Sequence, residues 1–258
     1  MWWQTMIILG LVLIFPKKVM FFIRAGYCLQ LFTLYSLIVR MWTIDDIQGL
    51  CSDHATWFSG ITLNKLEGSV PILKGRNIMI IGNHRNFCDF TMHDVITEHS
   101  TNFLSRALVG FVLPFMGLIS LITDGIWYFV RGSGKDFDEF FEWIDAKFAS
   151  HKTGRIHLLV YPEGHRNLKK EPLPLRSGMI RYAFSRKIPL QMFMCSGYDE
   201  VLNEKKFSAK WGRAEVMYKI YEPIFTDQYM NFDSLMDEVR SKFLERFNEV
   251  HNAIKTNS

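Results

Sequence analysis

The sequence is poor in cysteine, and none of its cysteines belongs to a C-x-x-C pair. The four are Cys28, Cys51, Cys88 and Cys195, spread over 258 residues. This spacing fits neither a disulfide framework nor a zinc site. We therefore expect a reducing, cytosol-facing compartment and no bound metal.

The chain also has little net charge, and it lacks internal repeats and low-complexity linkers. Its formal charge of +4 is too small to indicate a nucleic-acid-binding protein. The first 42 residues contain four basic residues and no acidic one, so the remainder is neutral, with 26 residues of each sign. A hydrophobic fraction of 48% excludes disordered and collagen-like chains. Residues 43–258 suffice for one domain with one buried core.

The N-terminal segment, which has no acidic residue, consists of two apolar stretches. As a helix, Met1–Phe15 would measure about 22 Å, short of the roughly 30 Å hydrocarbon layer of a bilayer. Val19–Val39 is long enough to cross that layer if Arg24 snorkels or faces protein. A secretory signal peptide would carry its positive charges before the apolar stretch, whereas Lys17 and Lys18 follow the first one.

We therefore predict that residues 1–42 form hydrophobic helices that anchor the protein to a membrane. Two full spans would place Lys17 and Lys18 on the side opposite the body, which conflicts with the positive-inside rule for a cytosolic body. A helical hairpin within one leaflet, or one span with one interfacial helix, avoids this conflict. The alternative is that these helices belong to a soluble core.

Short apolar runs alternate with helical patterns in the rest of the chain. Strands are predicted at Asn77–Ile81, Ile156–Tyr161, Ile188–Cys195 and Ala214–Ile220. Helices are predicted at Phe90–His99, Phe137–Ser150 and Gly178–Arg186, and apolar residues from Phe232 to Ile254 recur at helical spacing. This alternation predicts an α/β domain whose sheet is covered by helices on both faces.

The segment Ala107–Val130 is apolar enough to be mistaken for a transmembrane helix. Pro114, Asp124 and three glycines interrupt it, so we interpret it as a loop, a buried helix and then a strand at Ile126–Val130. A third transmembrane helix is the alternative.

The first candidate for chemistry follows the strand at Asn77–Ile81. There His84 and Asp89 lie five positions apart on a turn that enters a helix. A tight turn lets the carboxylate accept a hydrogen bond from the imidazole, which is the arrangement of a general base. By itself the pattern is also compatible with an ordinary loop histidine.

The second candidate follows the strand at Ile156–Tyr161. The carboxyl ends of strands line the crevice of open α/β sheets, and here they lead into Glu163 and Arg166. Arg166 can clamp a phosphate, with Glu163 holding either the arginine or a substrate hydroxyl. Taken alone, a structural Glu–Arg pair at a turn explains the pattern equally well.

Together, and in this order, the two motifs resemble the signatures of the glycerophospholipid acyltransferase family, the 1-acylglycerol-3-phosphate acyltransferase-like proteins. Asn83, His84 and Asp89 match its N-H-x4-D signature, and Pro162, Glu163, Gly164 and Arg166 match P-E-G-T-R, with His165 in place of Thr. Arg106, Pro114–Gly117, Arg131 and Arg176 occupy the positions of further family elements. The resemblance covers roughly residues 75–225 of this sequence.

The resemblance implies a role for each matched residue. His84 and Asp89 are the expected catalytic residues. Asn83, Arg131, Glu163, Gly164, Arg166 and Arg176 are the expected substrate-binding residues. It also implies one acyltransferase domain at 43–258, with a central mixed sheet flanked by helices, behind the N-terminal membrane helices.

The implied activity is transfer of a fatty acyl chain from acyl-CoA to the free hydroxyl of lysophosphatidic acid, in phospholipid biosynthesis. The implied mechanism is general-base catalysis without a covalent intermediate, with acyl-CoA as co-substrate and no cofactor or metal. The expected partners are these two substrates and a membrane, that of the endoplasmic reticulum, with no nucleic acid. Acylation of another lysophospholipid headgroup, or lipid binding without turnover, are the alternatives.

A rival enzyme class would use Cys88 as a nucleophile at a helix N-terminus, where the pKa of a thiol falls. The simpler interpretation is a buried, inert cysteine. Asp89 and His93 lie four apart on a predicted helix but lack further ligands for a metal, so we expect His93 at the surface.

Overall fold

A computed structural model describes residues 6, 10–26, 34, 38, 46–112, 114–130, 136–150 and 154–257 of the chain. Cys28, the expected substrate contact Arg131 and much of the segment 1–42 predicted to form membrane helices lie outside the described residues.

One mixed sheet organises the described part of the chain. Its seven strands are β1 (Ile61–Lys65), β2 (Met79–Gly82), β3 (Thr101–Arg106), β4 (Ile126–Phe129), β5 (His157–Val160), β6 (Leu190–Ser196) and β7 (Ala214–Ile220). They are ordered β1-β7-β6-β2-β5-β3-β4. Strands β6, β2, β5, β3 and β4 are mutually parallel, whereas β7 is antiparallel to β6 and parallel to β1. Five neighbouring strands therefore end at the same edge.

Helices connect and cover the strands. They are α1 (Pro16–Gly26), α2 (Ile47–Phe58), α3 (Asp89–Ile96), α4 (Ala107–Val112), α5 (Pro114–Thr123), α6 (Phe137–Ser150), α7 (Gly178–Ser185), α8 (Tyr198–Val201) and α9 (Phe232–Asn257), with a 3-10 turn at Thr226–Gln228. The predicted helix Phe90–His99 ends early, at Ile96, and Glu98 and His99 adopt positive φ angles of 54° and 56°.

The core lies on both faces of the sheet, as the alternation of strands and helices predicts. Successive residues of a strand point to opposite faces, so Ile80 packs in a first core cluster with residues of α3, while Met79 and Ile81 pack in a second. The second cluster buries apolar residues of α6, α7 and α9. The central strand β2 is buried along its whole length.

The four strands predicted from apolar runs are confirmed to within about two residues, the usual uncertainty of element ends. In Ala107–Val130 the expected helix and strand are present, but the expected loop at its start is the helix α4. The sequence patterns did not predict α2, β1 or β3.

Helix α1 packs onto the body of the protein. Phe21 lies in the first core cluster, and the Arg24 side chain is 1% exposed. The Arg24 guanidinium donates to the carbonyl oxygens of Ser59, Glu200, Val201 and Gly212. Of the two alternatives for Arg24, facing protein is the one observed. None of the helices within the described ranges has the length and apolar character needed to cross a bilayer.

Candidate active site

The candidate site lies where the neighbouring strands β2 and β5 end. Ile81 of β2 is paired with Val160 of β5 in parallel register. The residues that follow these strands therefore emerge side by side at the carboxyl edge of the sheet, where open α/β sheets form their crevices. His84 follows β2, and Tyr161 follows β5.

His84 and Asp89 meet as the spacing predicts. The His84 Nδ1 atom lies 2.7 Å from Asp89 Oδ2. Asp89 begins α3 and is fully buried, and its Oδ2 also accepts hydrogen bonds from the backbone N–H of Arg85 at 2.5 Å and of Asn86 at 3.1 Å. The carboxylate is thus oriented by the turn that carries His84. Because Nδ1 is bonded to Asp89, Nε2 is the ring nitrogen left to exchange a proton with a substrate.

Asn83 is directed into the sheet. It is 2% exposed, its Nδ2 donates to Cys195 O at 2.9 Å, and its Oδ1 accepts from Cys195 N at 2.9 Å. This double hydrogen bond joins the end of β2 to β6. The Asn83 amide therefore helps to hold the His84 turn, and the expected contact of Asn83 with substrate stays a prediction.

Glu163 is also directed inward and is 1% exposed. Its Oε2 accepts from Asn167 Nδ2 at 2.7 Å and from Leu173 N at 2.8 Å, and its Oε1 lies 3.5 Å from His84 N. Burial raises the pKa of this carboxyl group above its ordinary value. Glu163 thus ties its loop to the His84 turn, and its side-chain partner is Asn167, whereas Arg166 pairs with Glu204. The expected contact of Glu163 with substrate stays a prediction.

Arg166 has a different acidic partner. Its Nε lies 3.1 Å from Glu204 Oε2, and its guanidinium carbon lies 3.7 Å from the centre of the Phe87 ring. Glu204 Oε1 accepts from Phe87 N at 3.0 Å, and burial raises the pKa of Glu204 despite the opposing effect of Arg166. The Arg166 side chain remains 34% exposed, so its remaining N–H groups can reach a ligand.

Two further arginines border the loop that contains Gly164. This glycine has a φ of +75°, a conformation that L side chains rarely adopt, and its carbonyl accepts from Arg106 Nη2 at 3.3 Å. Arg176 donates its backbone N–H to Pro162 O at 2.7 Å, and its side chain is exposed beside Gly164. Arg106, Arg166 and Arg176 therefore place positive charge around one turn.

The structure places at the site two residues that were not among the predicted site residues, Tyr161 and His93. Tyr161 stacks on His84, with ring centroids 4.1 Å apart and an interplanar angle of 12°. His93 is fully buried, which corrects the expectation of a surface position, and burial lowers its pKa to about 4. Tyr161 could have been predicted as a site residue, because it lies at the carboxyl end of a strand. His93 was misplaced because helical spacing alone does not say which face of α3 is covered.

The thiol alternative does not fit the geometry. Cys88 precedes α3 but is 0% exposed and lies in the first core cluster, so a thioester carbonyl has no access to its sulfur. Within the described residues, no group of three or more His, Cys, Asp and Glu side chains is arranged to hold a metal ion.

Comparison with known proteins identifies the class. A family model described as Acyltransferase matches residues 64–196, just over half of the chain, and the chain therefore belongs to the acyltransferase family. The matched region runs from β1 to the end of β6 and contains both signature turns.

The chain is similar to proteins named 1-acyl-sn-glycerol-3-phosphate acyltransferase. It is 23% identical to one from Haemophilus influenzae over 58% of each chain, so it spans less than two thirds of that relative. It is 22% identical to the alpha form from Ovis aries, over 76% of this chain and 67% of the relative. A solved structure, the 1-acyl-sn-glycerophosphate (LPA) acyltransferase PlsC from Thermotoga maritima, superposes with a TM-score of 0.63 at 18% identity, covering 89% of this chain and 92% of that one. This last likeness shows the fold.

Proposed function

We propose that the protein transfers a fatty acyl chain from acyl-CoA to the free hydroxyl group of 1-acylglycerol-3-phosphate, in phospholipid biosynthesis. The observation that carries this proposal is the 2.7 Å contact between His84 Nδ1 and Asp89 Oδ2 at the carboxyl edge of the sheet. Membership of the acyltransferase family and the names of the similar proteins support the choice of substrates.

In the proposed mechanism, His84 Nε2 removes the proton of the acceptor hydroxyl as its oxygen attacks the thioester carbonyl. The tetrahedral intermediate then expels the coenzyme A thiolate, which takes the proton back from the imidazolium. Asp89 keeps the ring in the required tautomer and stabilises its transient positive charge. The acyl group moves directly between the two substrates, so the enzyme forms no covalent intermediate.

The acceptor phosphate would bind at the turn that contains Gly164. Arg166 retains exposed N–H groups there, and Arg176 and Arg106 lie beside the same turn. Arg131, outside the described residues, is proposed to assist them. Because Glu204 already neutralises part of the charge of Arg166, a lysophospholipid with another headgroup is the second candidate acceptor.

We further propose that residues 1–42 hold the site against a cytosol-facing membrane, that of the endoplasmic reticulum. Support comes from Leu13, Ile14 and Phe22, whose side chains are 75%, 68% and 64% exposed. Each methylene group moved from lipid to water costs about 0.8 kcal/mol, so a site at the bilayer surface avoids extracting long acyl chains.

Vesicle flotation tests the membrane proposal. Replacing Leu13, Ile14 and Phe22 together by Ser should reduce co-flotation of the full chain with phosphatidylcholine vesicles. Met230 and Leu244, exposed apolar residues near and in α9, provide the control when they are replaced by Ser. Equal flotation of the two variants would contradict the proposal.

The catalytic proposal is tested by release of free coenzyme A from acyl-CoA with a panel of lysophospholipids. We expect the fastest release with lysophosphatidic acid, and His84→Ala should lower turnover by roughly 10²- to 10⁴-fold, the usual contribution of a general base. His251→Ala, which removes an imidazole stacked on Phe247 of the second core cluster, is the control. Near-normal turnover of His84→Ala would refute the mechanism.

A further inference from the structure

Helix α3 carries two residues that bear on His84. Asp89, the first residue of the helix, binds the edge of the His84 ring. His93 lies one turn further along the helix and is fully buried. Its Nδ1 is 2.9 Å from the hydroxyl oxygen of Tyr161, and its Nε2 is 2.7 Å from the hydroxyl oxygen of Tyr198. Both nitrogens of the buried imidazole are therefore bonded.

Tyr161 covers one face of the His84 imidazole. The two rings are nearly parallel, with 12° between their planes, and their centroids are 4.1 Å apart. Tyr161 follows β5 directly, and its hydroxyl is held by His93, so both ends of the tyrosine are restrained. The hydrogen bond to Asp89 alone leaves the imidazole free to swing about that contact, whereas a stacked ring restricts this motion.

We propose that Tyr161 and His93 are positioning residues for the acyl transfer: His93 holds the Tyr161 hydroxyl, and the Tyr161 ring holds the plane of the His84 imidazole so that Nε2 faces the acceptor hydroxyl. This inference rests on the proposed function, in which His84 is the general base. A base that is held at the productive angle contributes to the reaction rate without contributing to substrate affinity.

The charge state of His93 agrees with this role. Burial lowers its pKa to about 4, so the imidazole is neutral at physiological pH. A neutral imidazole has one donor and one acceptor, which the two tyrosine hydroxyls match. A neutral His93 also adds no positive charge beside His84, which must itself become cationic during the reaction.

Steady-state kinetics of the full-length enzyme separate positioning from binding. Tyr161→Leu removes the stacked face, and we expect kcat to fall about tenfold or more while KM for both substrates changes less than about twofold. Tyr161→Phe retains the ring and should recover most of the lost rate. His93→Gln should give a smaller loss than Tyr161→Leu, because it releases the hydroxyl but leaves the ring in place.

Two matched controls measure the cost of losing a buried side chain. Tyr182 is 1% exposed in the second core cluster, and His157 is 1% exposed at the start of β5, the end remote from the site. Burial lowers the pKa of His157 to about 4, as it does for His93. Tyr182→Leu and His157→Gln should reduce the fraction of folded enzyme without changing kcat per folded molecule.

A spectroscopic signature tests the stacking without reference to activity. In enzyme labelled with ¹³C at the imidazole Cε1 position, the His84 signal is identified by its absence from His84→Ala. The ring current of Tyr161 should shield the proton bonded to Cε1 of His84. The signal of this proton should therefore move downfield in Tyr161→Leu and stay near its original position in Tyr161→Phe.

The outcomes distinguish the two proposals. If His84→Ala is inactive but Tyr161→Leu keeps its kcat, the positioning role is wrong and the general base stands. If His84→Ala remains active, the proposed function itself fails. A loss of kcat of the same size in Tyr182→Leu, or an unmoved His84 signal in Tyr161→Leu, would also overturn the positioning role. Should Tyr161→Leu fail to fold, an unchanged kcat in His93→Gln would overturn the proposed role of His93, and a lowered kcat with unchanged KM would support it.

Discussion

The guanidinium of Arg166 lies between the carboxylate of Glu204, 3.1 Å from its Nε, and the ring of Phe87, whose centre is 3.7 Å from its Cζ. The arginine that matches the phosphate-binding signature is therefore oriented by two side chains before any ligand arrives. An oriented guanidinium loses less conformational entropy on binding a phosphate than a free one does.

Replacing Arg166 by Ala should chiefly weaken acceptor binding. Charge-assisted hydrogen bonds contribute on the order of 1.5–3 kcal/mol, so we expect KM for lysophosphatidic acid to rise about tenfold or more with little change in kcat. Initial rates at varied acceptor concentration measure both constants. An unchanged KM would remove Arg166 from the phosphate site.

Replacing Glu204 by Gln should have the opposite effect on an anionic acceptor. The amide oxygen can still accept from the Phe87 N–H, while the negative charge beside Arg166 is removed. We expect a lower KM for lysophosphatidic acid and a smaller change for the zwitterionic lysophosphatidylcholine. If KM changes equally for both acceptors, the charge of Glu204 does not determine which headgroup the enzyme prefers.

Glu163 should matter for stability more than for affinity. Glu163→Ala removes the acceptor of the Leu173 N–H and one of the two acceptors of the Asn167 amide, and an unsatisfied buried group costs about 1–3 kcal/mol. Urea denaturation measures this loss. Glu171→Ala, on the same loop but exposed, should be nearly neutral. A raised KM for the acceptor without a loss of stability would instead indicate direct substrate contact by Glu163.

Arg24 should determine how firmly helix α1 is held on the body. Arg24→Leu removes the hydrogen bonds that join α1 to the carbonyl oxygens of Ser59, Glu200, Val201 and Gly212. We therefore expect faster cleavage by trypsin after Lys17 and Lys18 in the full chain. Arg213→Leu, which alters an exposed arginine, is the control and should leave that cleavage rate unchanged. Equal rates in the two variants would show that Arg24 does not hold the helix.

Acid should destabilise the protein through His93. The imidazole of the unfolded chain binds a proton below pH 6.5, whereas in the folded protein burial lowers its pKa to about 4. The unfolded state therefore binds more protons as the pH falls, and stability that is fully present above pH 6.5 declines by roughly 3 kcal/mol by pH 4.

Urea midpoints at pH 7.5 and 4.5 test this expectation. His93→Gln should lose less stability on acidification than the unaltered protein, because Gln does not titrate. His157→Gln should also lose less stability on acidification than the unaltered protein, since burial lowers the pKa of His157 as well. An identical acid sensitivity in His93→Gln and the unaltered protein would contradict the assignment.

Much of the fold and the central contact of the site could be predicted from the sequence, because they depend on local patterns. Buried strands such as β2 and β5 are short apolar runs that end in turn residues. His84 and Asp89 are five residues apart, so one turn suffices to join them. Strand β3 was not predicted because polar residues interrupt its apolar pattern. These residues are buried with hydrogen-bond partners; Asn102, for example, donates to the carbonyl of Arg155.

The amino-acid sequence by itself determined the α/β class, the His–Asp pair and the turn that carries Arg166. Only the tertiary structure decided that Glu204 partners Arg166, that Arg24 faces protein, and that His93 is buried behind Tyr161. These contacts join residues far apart in the chain. The contacts of Arg166 and His93 form because the order β6-β2-β5 brings the ends of three strands together, whereas those of Arg24 join α1 to α8 and to the segments before β1 and β7. Strand order follows from how the whole domain buries its apolar faces, and no local run of residues specifies it.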